Sequence, residues 1–181
     1  MHIKKYDIEG LFLIEHNNFS DNRGIFDKFY SSSTFDKYIK NKKIRQINFS
    51  KTAKKNTIRG MHYQKTPHAE FKIIKCVKGK VYDVVVDIRK NSKTFLKHQP
   101  ILLNAEKNNI LIIPSKCAHG YQALTNNCEL LYMHTAEYFA HLSVGLFHKD
   151  PLLNIKWPFN GINLSDHDKK WPLINEKFKG I

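Results

Sequence analysis

A chain of 181 residues with 41 % apolar content can bury one core, so a single domain over residues 1–181 is expected. It has no run of about 18 apolar residues, which argues against a membrane span, and residues 1–7 lack the apolar stretch of a secretory signal. A formal charge of +14 would suit a nucleic acid, an acidic surface or a phosphorylated small molecule, but the lysines are scattered, with Lys51, Lys54 and Lys55 the nearest thing to a patch.

In chain order, Ser33-Thr34 before residues 35–39 reads as one short capped helix. Residues 71–77 are apolar with interspersed lysines, and Lys78-Gly79-Lys80 makes a turn. Residues 81–88 alternate with Asp83 and Asp87, as a half-buried strand would. Residues 100–103, 110–113, 121–124 and 130–134 continue the series, with Asn108-Asn109 and Asn126-Asn127 as turns. From Trp157-Pro158 onward the chain reads as loop and short helix. Strands at this spacing predict a mainly β architecture, an antiparallel sandwich or barrel with short peripheral helices.

Cys76, Cys117 and Cys128 are widely spaced, in apolar contexts, with no Cys-x-x-Cys pair. They read as buried free thiols of a cytoplasmic protein. Arg23, Arg45, Arg59 and Arg89 stand out in a lysine-rich chain. Where lysine is used so freely, arginine points to its planar bidentate fork, for a diphosphate or a carboxylate. Arg89, close after Asp87, reads as the carboxylate case.

The most informative stretch is Arg59-Gly60-Met61-His62-Tyr63-Gln64, followed by Lys72. It sets an imidazole near a guanidinium, with a glycine that lets the backbone approach a ligand. His62 titrates near neutrality, which suits a general base; otherwise it is a core histidine with one nitrogen satisfied. Lys72 begins a strand-like run with Phe71 and Ile73 on the opposite face. An ammonium turned inward is costly unless it meets negative charge; otherwise Lys72 is a solvated lysine. The site lacks a His-x-His pair, and His62 with His119 is a thin metal set, so no metal is expected.

This block resembles the active-site strand of the dTDP-4-dehydrorhamnose 3,5-epimerase family, within the cupin superfamily. Further matches hold the register: Arg23-Gly24-Ile25-Phe26; Gln46, Asn48 and Ser50; residues 83–89; residues 113–121 with His119; residues 130–138; Asp150-Pro151; and Ile155-Lys156-Trp157-Pro158. The resemblance implies a cupin-type antiparallel β-barrel (jelly roll), no cofactor, a homodimer, and inversion beside the ketone of a nucleotide-diphosphate 4-keto-6-deoxy sugar for surface polysaccharide. It implies His62 as base, Lys72 at the enolate and Tyr138 as acid. Asp168 would orient His62, with Asp166 as competitor; Ser165 or Asp166 could equally cap a helix there. Arg23 and Arg59 would hold the diphosphate, with Phe26, Gln46, Asn48 and His119 lining the pocket. The family usually has two adjacent tyrosines and then Ala-Pro where this chain has Glu137-Tyr138-Phe139-Ala140. Lys28 stands where the family usually has glutamate. A donor there points to a base other than thymine; alternatively Lys28 faces solvent. A C3-only or C5-only epimerase would carry the same motifs. A non-catalytic sugar-nucleotide-binding cupin is the second alternative. A nucleic-acid-binding barrel ranks last, because it would interleave aromatics with basic residues on one exposed face.

Overall fold

The computed structural model describes residues 1–160 and 163–181. The strands are β1 (His2–Lys5), β2 (Phe12–Glu15), β3 (Phe19–Asp21), β4 (Gly24–Phe26), β5 (Gln46–Thr52), β6 (Ile58–Gln64), β7 (Lys72–Lys78), β8 (Lys80–Asp87), β9 (His98–Asn104), β10 (Asn109–Ile113), β11 (Cys117–Ala123), β12 (Cys128–His134) and β13 (Ser143–Gly145). One sheet runs β1-β2-β10-β7-β12-β5 and faces a second, β13-β6-β11-β8-β9; β3 and β4 form a separate two-stranded arm. The paired strands are antiparallel, as in the expected jelly roll.

Side-chain alternation explains the core. On β7, Ile74 and Cys76 point between the sheets, where they meet Leu111, Val85, Tyr121 and Leu130. Each fully buried aliphatic side chain there contributes on the order of 2 kcal/mol. The opposite face of β7, with Phe71 and Ile73, packs under Phe35 and Ile39. The outer face of β8, with Val84 and Val86, is covered by Leu153, Ile155, Trp157 and Phe178 of the C-terminal segment.

That covering corrects one expectation. Residues 81–88 are not a half-buried strand: Asp83 and Asp87 are on the inner face and fully buried. Asp87 survives there because Arg89 grips it (2.7 and 2.8 Å), while Ser92 and Thr94 donate at 2.5 and 2.6 Å. Burial pushes its pKa up, but these donors outweigh it and hold it at about 2.

The short helix also differs. One α-turn, α1 (Ser32–Phe35), begins after Ser31 and tightens into a 3-10 turn over Asp36–Ile39. Ser31 makes no side-chain cap; its hydroxyl meets that of Ser33 instead, at 2.9 Å. The Asn turns are as expected: Asn108 and Asn127 take positive φ angles of 49° and 54°. Cys76, Cys117 and Cys128 are buried free thiols. None of the described helices is long and apolar enough to cross a membrane.

Candidate active site

One cleft of about 980 Å³ opens between the sheets, lined from β5, β6, β7, β11 and β12 and from residues 163–169. Its geometry begins with a bulge in β6. Tyr121 and His119 are two apart on β11, yet they pair with Arg59 and His62, three apart on β6. The extra residue turns Arg59 and His62 toward the same cleft, although strict alternation would separate them. Gly60 carries the bulge at φ 131°, and a Cβ there would lie 2.4 Å from the Gly120 Cα. The close approach this glycine permits is therefore to the neighbouring strand, not to a ligand as expected.

His62 meets Asp168, with Nε2 and Oδ1 2.6 Å apart. Asp168 is 3 % exposed and opens a 3-10 turn over Asp168–Lys170, where Ser165 Oγ accepts from its backbone N–H. The residue before the turn, His167, makes no side-chain cap, but the Ser165 contact and the pairing to His62 coexist. Trp171 Nε1 donates to Oδ1 at 3.2 Å, and the Gly60 N–H points to Oδ2 at 3.4 Å. Burial raises the Asp168 pKa, but His62, Gly60 and Trp171 together bring it below the ordinary value. With Asp168 ionised, His62 donates through Nε2 and keeps its lone pair on Nδ1. Asp166 is exposed and pairs with Lys169 at 2.9 Å, so the aspartate at His62 is Asp168.

Lys72 is buried rather than solvated. Its Nζ lies 3.3 Å from Glu70 Oε1 and 3.2 Å from the His62 carbonyl. His119, opposite His62 on the neighbouring strand, pairs with Asp83 at 2.7 Å. Burial pushes the His119 pKa below its ordinary value against the opposing charge of Asp83, with Lys72 and His62 adding to the fall. Arg59 is fixed by Thr52 Oγ1 (3.1 Å) and the Lys51 carbonyl (3.2 Å). Gln46, Asn48 and Tyr138 stand toward the rim. The Gln46 side-chain oxygen Oε1 accepts from the Tyr138 backbone N–H at 2.8 Å, while the Tyr138 side chain is largely exposed. No trio of His, Cys, Asp or Glu poised for a metal occurs among the described residues.

The cleft contains residues that the motifs did not single out. Tyr132 lies edge-on to His119 and stacks on His134, with ring centroids 6.1 and 6.0 Å apart. Burial, reinforced by Tyr121 and Asp83, raises its pKa well above the ordinary value, so the phenol remains a donor. Alternation along β12 could have found it, since Leu130 points into the core and Tyr132 shares its face. Glu70 and Gln64 also line the cleft.

Three expected residues lie elsewhere. Arg23 and Phe26 are on the β3–β4 arm and Lys28 just follows it; none lines the cleft of this chain. Arg23 is instead held by Asp21, at 2.6 Å. The arm carries its apolar side chains outward: Phe19, Ile25 and Phe26 are 80 %, 68 % and 75 % exposed.

Comparison with known proteins gives the family. A sequence model of dTDP-4-dehydrorhamnose 3,5-epimerase matches residues 5–176. A dTDP-4-dehydrorhamnose 3,5-epimerase of Shigella flexneri is 37 % identical over 169 residues, 93 % of each chain. The solved dTDP-6-deoxy-D-glucose-3,5-epimerase RmlC of Legionella pneumophila, in complex with dTDP-4-keto-L-rhamnose, superposes with a TM-score of 0.90 at 30 % identity, covering 95 % of this chain and 92 % of that one. A double mutant of ChmJ, a 3'-monoepimerase of Streptomyces bikiniensis bound to dTDP, gives 0.87 at 27 % identity, covering 96 % and 86 %. With a family model matching residues 5–176 and an overall fold shared with solved members, the chain belongs to the dTDP-4-dehydrorhamnose 3,5-epimerase family.

Proposed function

We propose that this protein inverts C3 and C5 of a dTDP-linked 4-keto-6-deoxy sugar by proton transfer through an enolate, without metal or cofactor. The observation that carries this reading is the His62–Asp168 pair sharing one cleft with the Lys72 ammonium. His62 Nδ1 takes a proton from the carbon beside the ketone. The C–H electron pair becomes the enolate C=C bond, and negative charge collects on the ketone oxygen. Lys72 meets that charge, and Asp168 steadies the imidazolium. A tyrosine on the other side gives its O–H proton to the carbon, and the C=C pair forms the new C–H bond. Imidazolium and phenolate then reset by exchange with solvent. Base and acid of this kind each contribute on the order of 10²–10⁴-fold.

Two tyrosines compete for the acid. Tyr138 matches the family segment, but its ring sits at the rim. Tyr132 lies within the cleft beside His119, and its raised pKa keeps it protonated. The ChmJ mutant exchanges a histidine and a tyrosine that stand as far apart in that chain as His62 and Tyr132 do here. We therefore assign the acid to Tyr132, with Tyr138 closing the sugar pocket at its rim.

Arg59, Gln46, Asn48 and His119 would bind the substrate from within the chain. Arg23, Phe26 and Lys28 would do so across a homodimer, the outward apolar side chains of the arm being covered by a second copy. The product would feed a surface polysaccharide made from cytoplasmic sugar nucleotides, a compartment that suits three free thiols. Inversion at C3 alone is the second reading, favoured by the likeness to a 3'-monoepimerase.

Proton NMR in D₂O with dTDP-4-keto-6-deoxyglucose tests the proposal, with the CDP and GDP analogues alongside. Deuterium should enter at C3 and C5 with wild type and not with His62→Ala. Label at C3 alone would establish the second reading. Binding without exchange on any analogue would leave a sugar-nucleotide-binding protein.

A further inference from the structure

Glu70 is a buried carboxylate on the cleft wall with no part in the proton transfers above. Its Oε1 faces Lys72 Nζ at 3.3 Å, and its Oε2 accepts from Gln64 Nε2 at 3.2 Å. His134 Nδ1 stands 3.9 Å from Oε1. Burial of this kind pushes a carboxyl pKa up. Here the Lys72 charge, with His134 and Gln64 adding to it, brings the Glu70 pKa down to about 2.

We propose that Glu70 is a positioning residue for the epimerisation, which pairs with the Lys72 ammonium and aims it at the enolate oxygen. The inference rests on the function proposed above. An ammonium has three donors. One of them donates to the His62 carbonyl, and Glu70 Oε1 stands 3.3 Å away as an ion pair, which fixes the side chain with N–H groups to spare for a ligand. Lys72 is 7 % exposed, and a buried ammonium needs an opposite charge close by, which Glu70 supplies.

Glu70 also shares in orienting Gln64. With the Gln64 amide nitrogen drawn toward Glu70, the His68 carbonyl and the Glu137 carbonyl, its oxygen is left to accept the Phe139 N–H at 2.7 Å. The carboxylate is thereby held in place by Gln64 while it faces Lys72. A glutamine at position 70 has nearly the same shape, but it brings no charge, and its own N–H₂ can face Lys72 or Gln64.

The test is a double-mutant cycle of Glu70→Gln and Lys72→Met, with Glu70→Asp as the conservative variant, read as deuterium entry from D₂O and as kcat and KM for dTDP-4-keto-6-deoxyglucose. Glu70→Gln should lower kcat about tenfold or more with KM changed less than about threefold. Glu70→Asp should recover part of the loss. Once Lys72 is methionine, adding Glu70→Gln should cost less than about twofold more, because Glu70 acts through Lys72. Wild-type kcat in Glu70→Gln, or losses that multiply in full in the double variant, would overturn the inference while the wild type still exchanges. No exchange by the wild type would overturn the proposed function and this inference with it.

Discussion

Replacing Asp168 with asparagine keeps the shape of the side chain and removes its charge. In the folded protein Oδ1 accepts from His62 and Trp171, while Oδ2 faces the Gly60 N–H. An amide cannot serve both sides. Turned one way, its N–H₂ confronts the Gly60 and donor meets donor. Turned the other way, it donates to His62 Nε2, moves the ring proton to Nδ1 and takes the lone pair away from the cleft. At 2.6 Å the attraction between imidazolium and carboxylate is on the order of 6 kcal/mol with an effective dielectric of about 20. The His62 side chain is 41 % exposed, and solvent screening of roughly half leaves about 3 kcal/mol, or about 10²-fold in kcat. Loss of the right tautomer extends the expected drop toward about 10⁴-fold. Stability should fall by about 1–3 kcal/mol, as for a buried hydrogen-bonding group left mismatched. Steady-state kinetics on dTDP-4-keto-6-deoxyglucose, with a thermal melt to confirm folding, measures both. A folded Asp168→Asn protein with kcat within about threefold of wild type would refute the tautomer argument.

Three further outcomes follow from particular contacts. Tyr132→Phe should lower kcat by about 10²-fold or more, whereas Tyr138→Phe should act mainly on KM, by less than about tenfold; kinetics on the two variants distinguishes them, and the reverse order would restore Tyr138 as the acid. Gly60→Ala should destabilise by about 3 kcal/mol or more, since its Cβ would press on the Gly120 backbone at a φ that L residues rarely adopt; urea denaturation measures it. Glu70 and Asp87 have folded pKa values of about 2, below their ordinary values of 4.5 and 3.8, so the stability they add is present above pH 4.5 and is lost as pH falls toward 2. His119, whose pKa burial pushes below 6.5, adds a loss starting near that pH. Acid unfolding followed by tryptophan fluorescence should therefore steepen below pH 4.5, and Asp87→Asn should flatten part of that slope.

Much of this was legible in the chain, and what was not has physical reasons. The strands after residue 71 could be read from apolar alternation and from the Asn turns, and Arg89 did take Asp87 as its partner. Alternation assumes that one face of a strand meets water. It therefore misjudged β8, whose outer face is covered by a segment some seventy residues later in the chain, so that the aspartates turn inward. For the same reason alternation could not choose between an inward ammonium and a solvated lysine at position 72. Lys72 is buried with Glu70, and Lys75 with Asp27 and Asn108, pairings that only the folded chain creates. The bulge that brings Arg59 and His62 to one cleft is a register shift with no signature beyond Gly60. The choice between Asp166 and Asp168 turned on Ser165, which accepts from the Asp168 N–H and leaves Asp166 outside. Arg23, Phe26 and Lys28 were recognised by motif, yet a single chain has no place for them in its own cleft.

The most direct test of the central claim is a crystal structure of the protein with dTDP-6-deoxyglucose, whose C4 hydroxyl stands where the substrate has its ketone and so cannot be enolised. The account predicts the C4 oxygen within hydrogen-bond distance of Lys72 Nζ, C3 or C5 facing His62 Nδ1 with Tyr132 on the opposite side of the ring, and the diphosphate at Arg59 and at Arg23 of the partner subunit. A sugar lying outside the cleft, or one whose C4 oxygen points away from Lys72, would contradict it.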